Sequence, residues 1–176
     1  MGAKTFWSRE QADAYVHSFR EALGGNVMYN NSADVVEVFV CGDLRRDSDA
    51  ERVQTLSFVA VVRDGSNTTD VRAKCKSNVQ AIFPGAYIKN FKKYDYVVLP
   101  DDSGTISWLV VEKENLGAAL VHATGPVSFI QMLKLFAESV GAEFGASGVK
   151  REGAKIPAST EESLFERLGA KFVKPE

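Results

Sequence analysis

Strand-like and helix-like segments are unevenly distributed along this chain, and their distribution most constrains its fold. Apolar, β-branched runs predict four strands, over residues 35–41, 56–62, 94–99 and 105–111. After Glu112 the character changes, and helical periodicity predicts three helices, over residues 116–122, 128–140 and 160–168. We therefore expect an α+β protein with two subdomains, residues 1–113 and 114–176, rather than two independent domains.

Further elements are predicted on both sides of that boundary. Ser8, with Gln11 three residues later, is a capping-box signal for a helix that Gly24-Gly25 ends. Residues 70–82 suit another helix, residues 42–55 form a charged loop with room for a helical turn, and the glycine-rich stretch 141–153 predicts a small hairpin. The apolar stripe of helix 128–140, which should face the core, comprises Phe129, Met132, Leu133, Phe136 and Ala137.

Composition excludes several classes of protein. With 176 residues, 45% hydrophobic and 25% charged, the chain is an ordinary globular protein, and its apolar runs are too short to span a bilayer. It opens with no charged-then-apolar leader. Cys41 and Cys75 have neither metal-ligand spacing nor a disulfide framework, so we expect buried, reduced thiols and a cytoplasmic location. Because the net charge is −2, any surface that binds nucleic acid must be local.

Five short motifs follow one another in a fixed order. They are Gly42-Asp43-Leu44-Arg45-Arg46 after a strand, Gly117-Ala118-Ala119-Leu120, Thr124-Gly125, Thr160-Glu161-Glu162 through Leu168-Gly169, and the ending Lys174-Pro175-Glu176. In this order they resemble the family X DNA polymerases, the polymerase beta group. The resemblance implies a nucleotidyltransferase palm followed by the family's C-terminal subdomain. Since no segment matches the family's amino-terminal domains, the chain is similar to the minimal polymerase of a large DNA virus.

The resemblance also implies a nucleotide site. In the family, the loop with two arginines receives the triphosphate and the Thr-Gly turn shapes the sugar pocket, so the residues implied here are Gly42, Arg45, Arg46, Thr124 and Gly125. An alternative for the two arginines is a surface ion pair with Asp43, Asp47 or Asp49. The turn is expected to be strained, and the Gly125-Pro126 bond is one that can adopt the cis form.

Hydroxyl side chains stand where the family has its three catalytic aspartates. Aligning the apolar strand 58–62 puts Thr55 and Ser57 at two of these positions, and counting back from Gly125 puts Ser107 at the third. A second register gives Val53 and Thr55 instead. Neutral hydroxyls cannot offset the repulsion between two magnesium ions. We therefore expect a catalytically inactive relative, without a metal cofactor, that acts as a binding or structural component.

The opposing hypothesis is an active template-directed DNA polymerase or nucleotidyltransferase with displaced carboxylates and Mg²⁺ as its cofactor. Asp49 and Glu51 are the candidates, although Arg52 and Gln54 deny them the apolar strand that should follow. His17 and His122 have no second ligand at metal spacing, and we expect both to be structural.

Basic residues interleaved with aromatic residues predict a nucleic-acid contact. The basic residues are Arg72, Lys74, Lys76, Lys89, Lys92 and Lys93, and the aromatic residues are Tyr87, Phe91, Tyr94 and Tyr96. Such mixtures suit stacking on bases and pairing with phosphates, whereas the alternative is a solvated helix face beside a strand. The predicted partners are nucleic acid or a protein in a viral or phage assembly, in the host cytoplasm or the virion, and no membrane.

Overall fold

The computed structural model describes residues 7–22, 35–47, 51–53, 55–90, 95–98 and 105–174. In chain order its elements are β1 (Trp7–Ser8), α1 (Arg9–Ala22), β2 (Val35–Gly42), α2 (Asp43–Arg46), β3 (Arg52–Val53), β4 (Thr55–Val62), α3 (Thr68–Ile82), β5 (Tyr87–Asn90), β6 (Asp95–Val98), β7 (Thr105–Val111), a 3₁₀ turn (Lys113–Asn115), α4 (Leu116–Thr124), α5 (Val127–Ser139), β8 (Ala142–Gly145), β9 (Gly148–Arg151), β10 (Ala154–Ile156) and α6 (Glu161–Leu168). The fold is α+β, as predicted.

A five-stranded mixed sheet forms the centre of the protein, in the order β2-β4-β7-β6-β5. Strands β4 and β7 are parallel, and the other neighbouring strands are antiparallel. Successive side chains of a strand point to opposite faces. One face therefore buries Phe58 and Trp108 against α1 and α3, and the other buries Val59 and Leu109 against α4. The second face, which we call the α4 face, carries the residues discussed below.

The predicted strands 35–41, 56–62 and 105–111 and the predicted helix 70–82 agree with the structure. Ser8 and Gln11 form the capping box of α1, with the Gln11 amide donating to Ser8 Oγ at 3.2 Å and the Ser8 amide donating to Gln11 Oε1 at 3.0 Å. Strand β5 was not predicted, and neither was the short pair β1-β3. Strand β6 is shorter than the predicted run 94–99, and the predicted turn 100–104 lies outside the described residues.

The segment after residue 113 forms a hydrophobic core of its own. Helices α4, α5 and α6 contribute Ala118, Leu133 and Leu164, and the small sheet contributes Val149. That sheet has three antiparallel strands in the order β10-β9-β8, one more than the predicted hairpin. Thr160 caps α6 through a reciprocal box with Ser163, and the left-handed Gly169 ends the helix, in agreement with the predicted range 160–168. No helix in the described part of the chain is long and apolar enough to cross a bilayer.

The predicted stripe of α5 is wrong for two of its members. Met132 is 62% exposed and Phe136 is 38% exposed, whereas Ile130, Leu133 and Ala137 face the core. Leu135 is also exposed, at 67%. The helix carries apolar residues on both sides, so the sequence pattern alone does not distinguish the buried face from the solvent face.

The turn between α4 and α5 also differs from the expectation. Gly125 has φ −66° and ψ 145°, an extended conformation that most residues adopt before a proline. No peptide bond among the described residues is cis. The expectation of a strained backbone in this turn is therefore wrong. The position is crowded instead, because a Cβ at Gly125 would lie 2.8 Å from Ile130 Cδ1 and 3.1 Å from the Val121 carbonyl oxygen.

Gly117 permits the close approach of α4 to the segment before α6. Its amide donates to the Ala158 carbonyl at 2.9 Å, and a Cβ at this position would lie 2.0 Å from the Thr160 carbonyl oxygen. We expect Gly117→Ala to lower the free energy of unfolding by about 3 kcal/mol, because the backbone must move to accept the methyl group. Urea unfolding measures the change. Gly145→Ala is the matched control, since nothing lies within 4 Å of its Cβ position; equal losses in the two variants would contradict this explanation.

Candidate functional site

The hydroxyl side chains predicted at the three aspartate positions lie together on the α4 face. The parallel register of β4 and β7 pairs Ser57 with Ser107 and Thr55 with Thr105. The hydroxyl oxygens of Ser57 and Ser107 are 3.0 Å apart, and Thr105 Oγ1 donates to Thr55 Oγ1 at 3.2 Å. We call Thr55, Ser57, Thr105 and Ser107 the hydroxyl cluster. In the second register considered above, Val53 lies instead on β3, fully buried against β1.

The hydroxyl cluster does not fit a pair of magnesium ions. Its oxygens are neutral and hydrogen-bond to one another, whereas Mg²⁺ is usually bound through carboxylates and substrate phosphates. The neighbouring acid, Asp43, accepts the Thr55 amide at 3.3 Å and forms an ion pair with Arg46. Among the residues that the structure describes, no three His, Cys, Asp or Glu side chains are grouped as metal ligands.

Of the two displaced carboxylates proposed by the opposing hypothesis, the structure describes only Glu51, and its surroundings are those of the start of α1 rather than of the hydroxyl cluster. Glu51 is exposed, and its carbonyl accepts the Arg9 amide at 3.1 Å where α1 begins. Asp49 lies outside the described residues.

The loop with two arginines joins the sheet to the C-terminal segment. It begins at Gly42, which has φ +68°, and a Cβ there would lie 3.1 Å from Ser57 Oγ, so a glycine is required. Arg45 binds both carboxylate oxygens of Glu161 on α6, with Nη1 to Oε1 at 3.0 Å, and donates to Thr124 Oγ1 at 3.2 Å. Arg46 binds Asp43 and donates to the Thr124 carbonyl.

The predicted nucleotide-site residues are therefore close together, but both arginines already have partners. The ion-pair alternative describes Arg46, whose partner is Asp43 as predicted. For Arg45 the structure shows a partner that the alternative did not name, Glu161, 116 residues away in sequence, while Asp49 lies outside the described residues. The sequence marks Thr160-Glu161-Glu162 as a helix start and as one of the five motifs of the resemblance, and no local signal links Glu161 to Arg45.

Cys41 lies beside the cluster, in register with Ser57. Both cysteines are free and buried, as predicted. Burial raises the pKa of the Cys41 thiol to about 11, although hydrogen bonding to Thr124 and the nearby Arg45 charge favour the thiolate. Burial likewise raises the pKa of Cys75 to about 12. Neither thiol is a reactive nucleophile at neutral pH.

A cavity of about 160 Å³ lies over the two serines. Ser57 and Ser107 line it from the sheet, and His122 and Ala123 line it from the last turn of α4. The His122 ring also lies 6.3 Å from the Phe144 ring. Sequence reasoning treated His122 as structural, and only its place two residues before Thr124 could have indicated a position at this cavity.

The predicted basic cluster divides between the two faces of the sheet. Arg72 forms two hydrogen bonds, at 2.9 and 2.8 Å, with the buried carboxylate of Asp95, which raise the pKa of the guanidinium. Helix α3, which also carries Lys74 and Lys76, packs on the face opposite the hydroxyl cluster.

Lys89 lies on the α4 face with the hydroxyl cluster. Ser57 on β4 pairs with Ser107 on β7, Ser107 pairs with Tyr96 on β6, and Tyr96 pairs with Lys89 on β5. These four positions therefore lie in one row across the sheet. Ile88 packs into the opposite core, so Lys89 and the 65% exposed Tyr87 project from the α4 face at the sheet edge. Lys92, Lys93, Phe91 and Tyr94 lie outside the described residues.

Comparison with known proteins supports the resemblance over the C-terminal third of the chain. No curated protein matches the chain. Residues 119–176 match the family described as DNA polymerase beta thumb, a range that contains most of α4 and everything after it. This match supports a relation of the chain to the polymerase beta-like proteins of family X and, with it, a DNA-polymerase-like, DNA-binding relation.

Proposed function

We propose that this protein is a catalytically inactive polymerase beta-like protein that binds DNA without metal ions. The observation that carries the proposal is the hydrogen-bonded pair of Ser57 and Ser107, 3.0 Å apart at two of the positions aligned with catalytic aspartates. Two-metal transfer requires anionic oxygens at such positions to hold the ions and align the reacting groups. A neutral pair supplies neither function.

Loss of the carboxylates also changes what the α4 face can bind. Three aspartates would repel the phosphates of DNA unless metal ions neutralised them. Hydroxyl groups carry no such charge, and a hydroxyl that accepts a hydrogen bond within the cluster can still donate its own proton to a phosphate oxygen. Lys89, on the same face, adds a positive charge. The same replacement that weakens catalysis therefore favours DNA binding without a cation, as in a structural component of a viral or phage assembly.

The proposal predicts DNA binding that depends on salt and not on magnesium. Fluorescence anisotropy with a labelled duplex should give the same affinity in EDTA and in Mg²⁺, and affinity should fall steeply with salt as counterions are released. Lys89→Glu should weaken binding several-fold and reduce the salt slope by about 1. Lys155→Glu, an equal charge change on β10, is the matched control.

Three results would contradict the proposal. Equal effects of Lys89→Glu and Lys155→Glu would remove the assignment of DNA binding to the α4 face. Binding insensitive to salt would remove the DNA-binding function and leave a protein-interaction module. Tight, Mg²⁺-dependent binding of a deoxynucleoside triphosphate in calorimetry, abolished by Asp49→Ala with Glu51→Ala, would instead establish the active enzyme.

A further inference from the structure

Helix α4 covers only part of the sheet face that carries the hydroxyl cluster. The sheet residues buried against α4 belong to β2, β4 and β7, and among the described residues none of them belongs to β5 or β6. On β5, the last described strand of this sheet, Tyr87 is 65% exposed and Lys89 is also exposed. We call Tyr87 and Lys89 the edge pair. Both side chains are therefore accessible to a ligand that approaches the α4 face.

The strand register places the edge pair in the same rows as the hydroxyl cluster. The row of Ser107 reaches Lys89 through β6, and the row of Thr105 reaches Tyr87. Neighbouring strands are about 4.8 Å apart, so the edge pair lies roughly 10 Å from the hydroxyl-bearing residues of β7. Along β5 the two members of the edge pair are about 7 Å apart. Such separations are those of successive groups along an extended strand of nucleic acid.

The two rows carry hydrogen-bonding groups and a positive charge but no carboxylate. Their members are Thr55, Ser57, Tyr87, Lys89, Tyr96, Val98, Thr105 and Ser107. No described residue forms an ion pair with Lys89. No described aromatic ring packs on the ring of Tyr87 either. This composition is complementary to a chain of phosphates that carries flat bases.

An exposed tyrosine ring on this face distinguishes unpaired bases from paired ones. In a duplex each base stacks on its neighbours, and only the base edges are accessible in the grooves. In a single strand a base can turn its face toward an aromatic side chain while the phosphates follow a positively charged surface. The edge pair supplies both contacts, because Tyr87 offers the ring and Lys89 the charge.

We propose that the α4 face binds single-stranded DNA in preference to duplex DNA. One base stacks on Tyr87, one phosphate pairs with Lys89, and a further phosphate accepts hydrogen bonds from the hydroxyl cluster. This inference rests on the proposed DNA-binding function and adds the form of DNA that the face selects. Every base has an aromatic face, so the preference among the four bases is small.

Fluorescence anisotropy of the full-length protein with three labelled probes tests the proposal. The probes are an oligothymidylate of about 12 nucleotides, the same strand in a duplex, and an abasic strand of the same length. We expect the oligothymidylate to bind about tenfold more tightly than either of the other probes, because it alone offers an unpaired base for stacking. The abasic strand has the same phosphates, so the salt dependence of its binding should equal that of the oligothymidylate.

Three variants show whether Tyr87 is the stacking residue. Tyr87→Leu should weaken oligothymidylate binding about tenfold and change abasic-strand binding less than about twofold, whereas Tyr87→Phe, which keeps a ring, should change neither by more than about twofold. Phe136→Leu is the matched control, because it removes a 38% exposed ring on α5. It should change neither affinity. Urea unfolding checks that the variants are folded, and the abasic comparison on the native protein needs no variant.

The outcomes separate this inference from the proposed function. Equal affinities for the oligothymidylate and the duplex, or equal effects of Tyr87→Leu and Phe136→Leu, would overturn the single-strand preference and leave DNA binding by the α4 face in place. Absence of binding to all three probes would overturn both.

Discussion

Replacing Thr55, Ser57 and Ser107 together by aspartate is expected to make the stability of this protein depend on magnesium. The unfolding temperature of the native sequence should change by no more than about 1 °C between EDTA and millimolar Mg²⁺, because neutral hydroxyls hold the ion weakly. The triple variant should unfold roughly 10 °C lower in EDTA and regain most of that loss in Mg²⁺. Differential scanning calorimetry measures both effects.

The expected size follows from the spacing of the cluster. The hydroxyl oxygens of Ser57 and Ser107 are 3.0 Å apart, so the longer aspartate side chains meet unless they splay apart. At about 5 Å and an effective dielectric constant near 20, two carboxylates repel by about 3 kcal/mol. For a chain of this size each kcal/mol lost lowers the unfolding temperature by about 2–4 °C. Mg²⁺ present at 100 times its dissociation constant would raise the free energy of unfolding by about 2.7 kcal/mol, which offsets most of this loss.

A triple replacement of the same residues by asparagine is the matched control. Asparagine has the size of aspartate without its charge, so this variant should lose stability through crowding alone and should not respond to Mg²⁺. If the aspartate variant also ignores Mg²⁺, or if both variants respond equally, the three positions are not a degenerate metal site. That result would remove the main argument for lost catalysis.

The convergence of the hydroxyl cluster could be predicted from the sequence because it depends on a few strong signals. Each of the two strands contains an apolar run directly after its serine, residues 58–62 in β4 and 108–111 in β7, and the position of Ser107 follows from its distance to the Thr124-Gly125 turn. Their spatial proximity then requires only that β4 and β7 be neighbours, which the resemblance implied and the register shows. The helix caps at Ser8 and Thr160 are local signals of the same kind.

Other features could not be predicted, since they depend on how distant segments pack. The hydrogen bonds of Arg72 to Asp95 and of Arg45 to Glu161 join residues that no periodicity links. The basic cluster looked continuous in sequence, but α3 and β5 present their charges on opposite faces of the sheet. The exposed face of α5 was misassigned for a related reason, because its solvent side also carries large apolar residues, Met132, Leu135 and Phe136.

Breaking the ion pair between Arg45 and Glu161 is the second change with a large expected effect. The pair joins α2, which follows strand β2 of the central sheet, to α6 in the C-terminal segment. The Arg45 side chain is only 27% exposed and the Glu161 side chain only 11%. Removing one partner of a buried pair costs about 3–5 kcal/mol, because the other charge is left desolvated and unpaired. Given the partial exposure, we expect Glu161→Ala to lower the free energy of unfolding by about 3 kcal/mol.

A double-mutant cycle separates the pair itself from the loss of packing. Arg45→Met with Glu161→Gln leaves neither charge alone, so the double variant should be more stable than the sum of the single losses predicts, by about 2 kcal/mol. The exposed pair of Lys155 and Glu112, 3.9 Å apart with side chains 57% and 54% exposed, is the control. Its coupling energy should not exceed about 0.5 kcal/mol. Equal coupling energies in the two cycles would contradict the proposed role of burial.

The Glu161→Gln variant of this cycle also tests whether Glu161 keeps Arg45 from binding phosphate ligands. In the native protein its guanidinium is committed to Glu161, so a phosphate can bind only by displacing a carboxylate that is held by two hydrogen bonds. Glu161→Gln removes that competing charge, and pyrophosphate affinity measured by calorimetry should rise several-fold while stability falls. If the pair is purely structural, Glu161→Gln should lower the stability and leave the pyrophosphate affinity unchanged. The two measurements together therefore show whether Glu161 keeps phosphate away from Arg45 or only stabilises the fold.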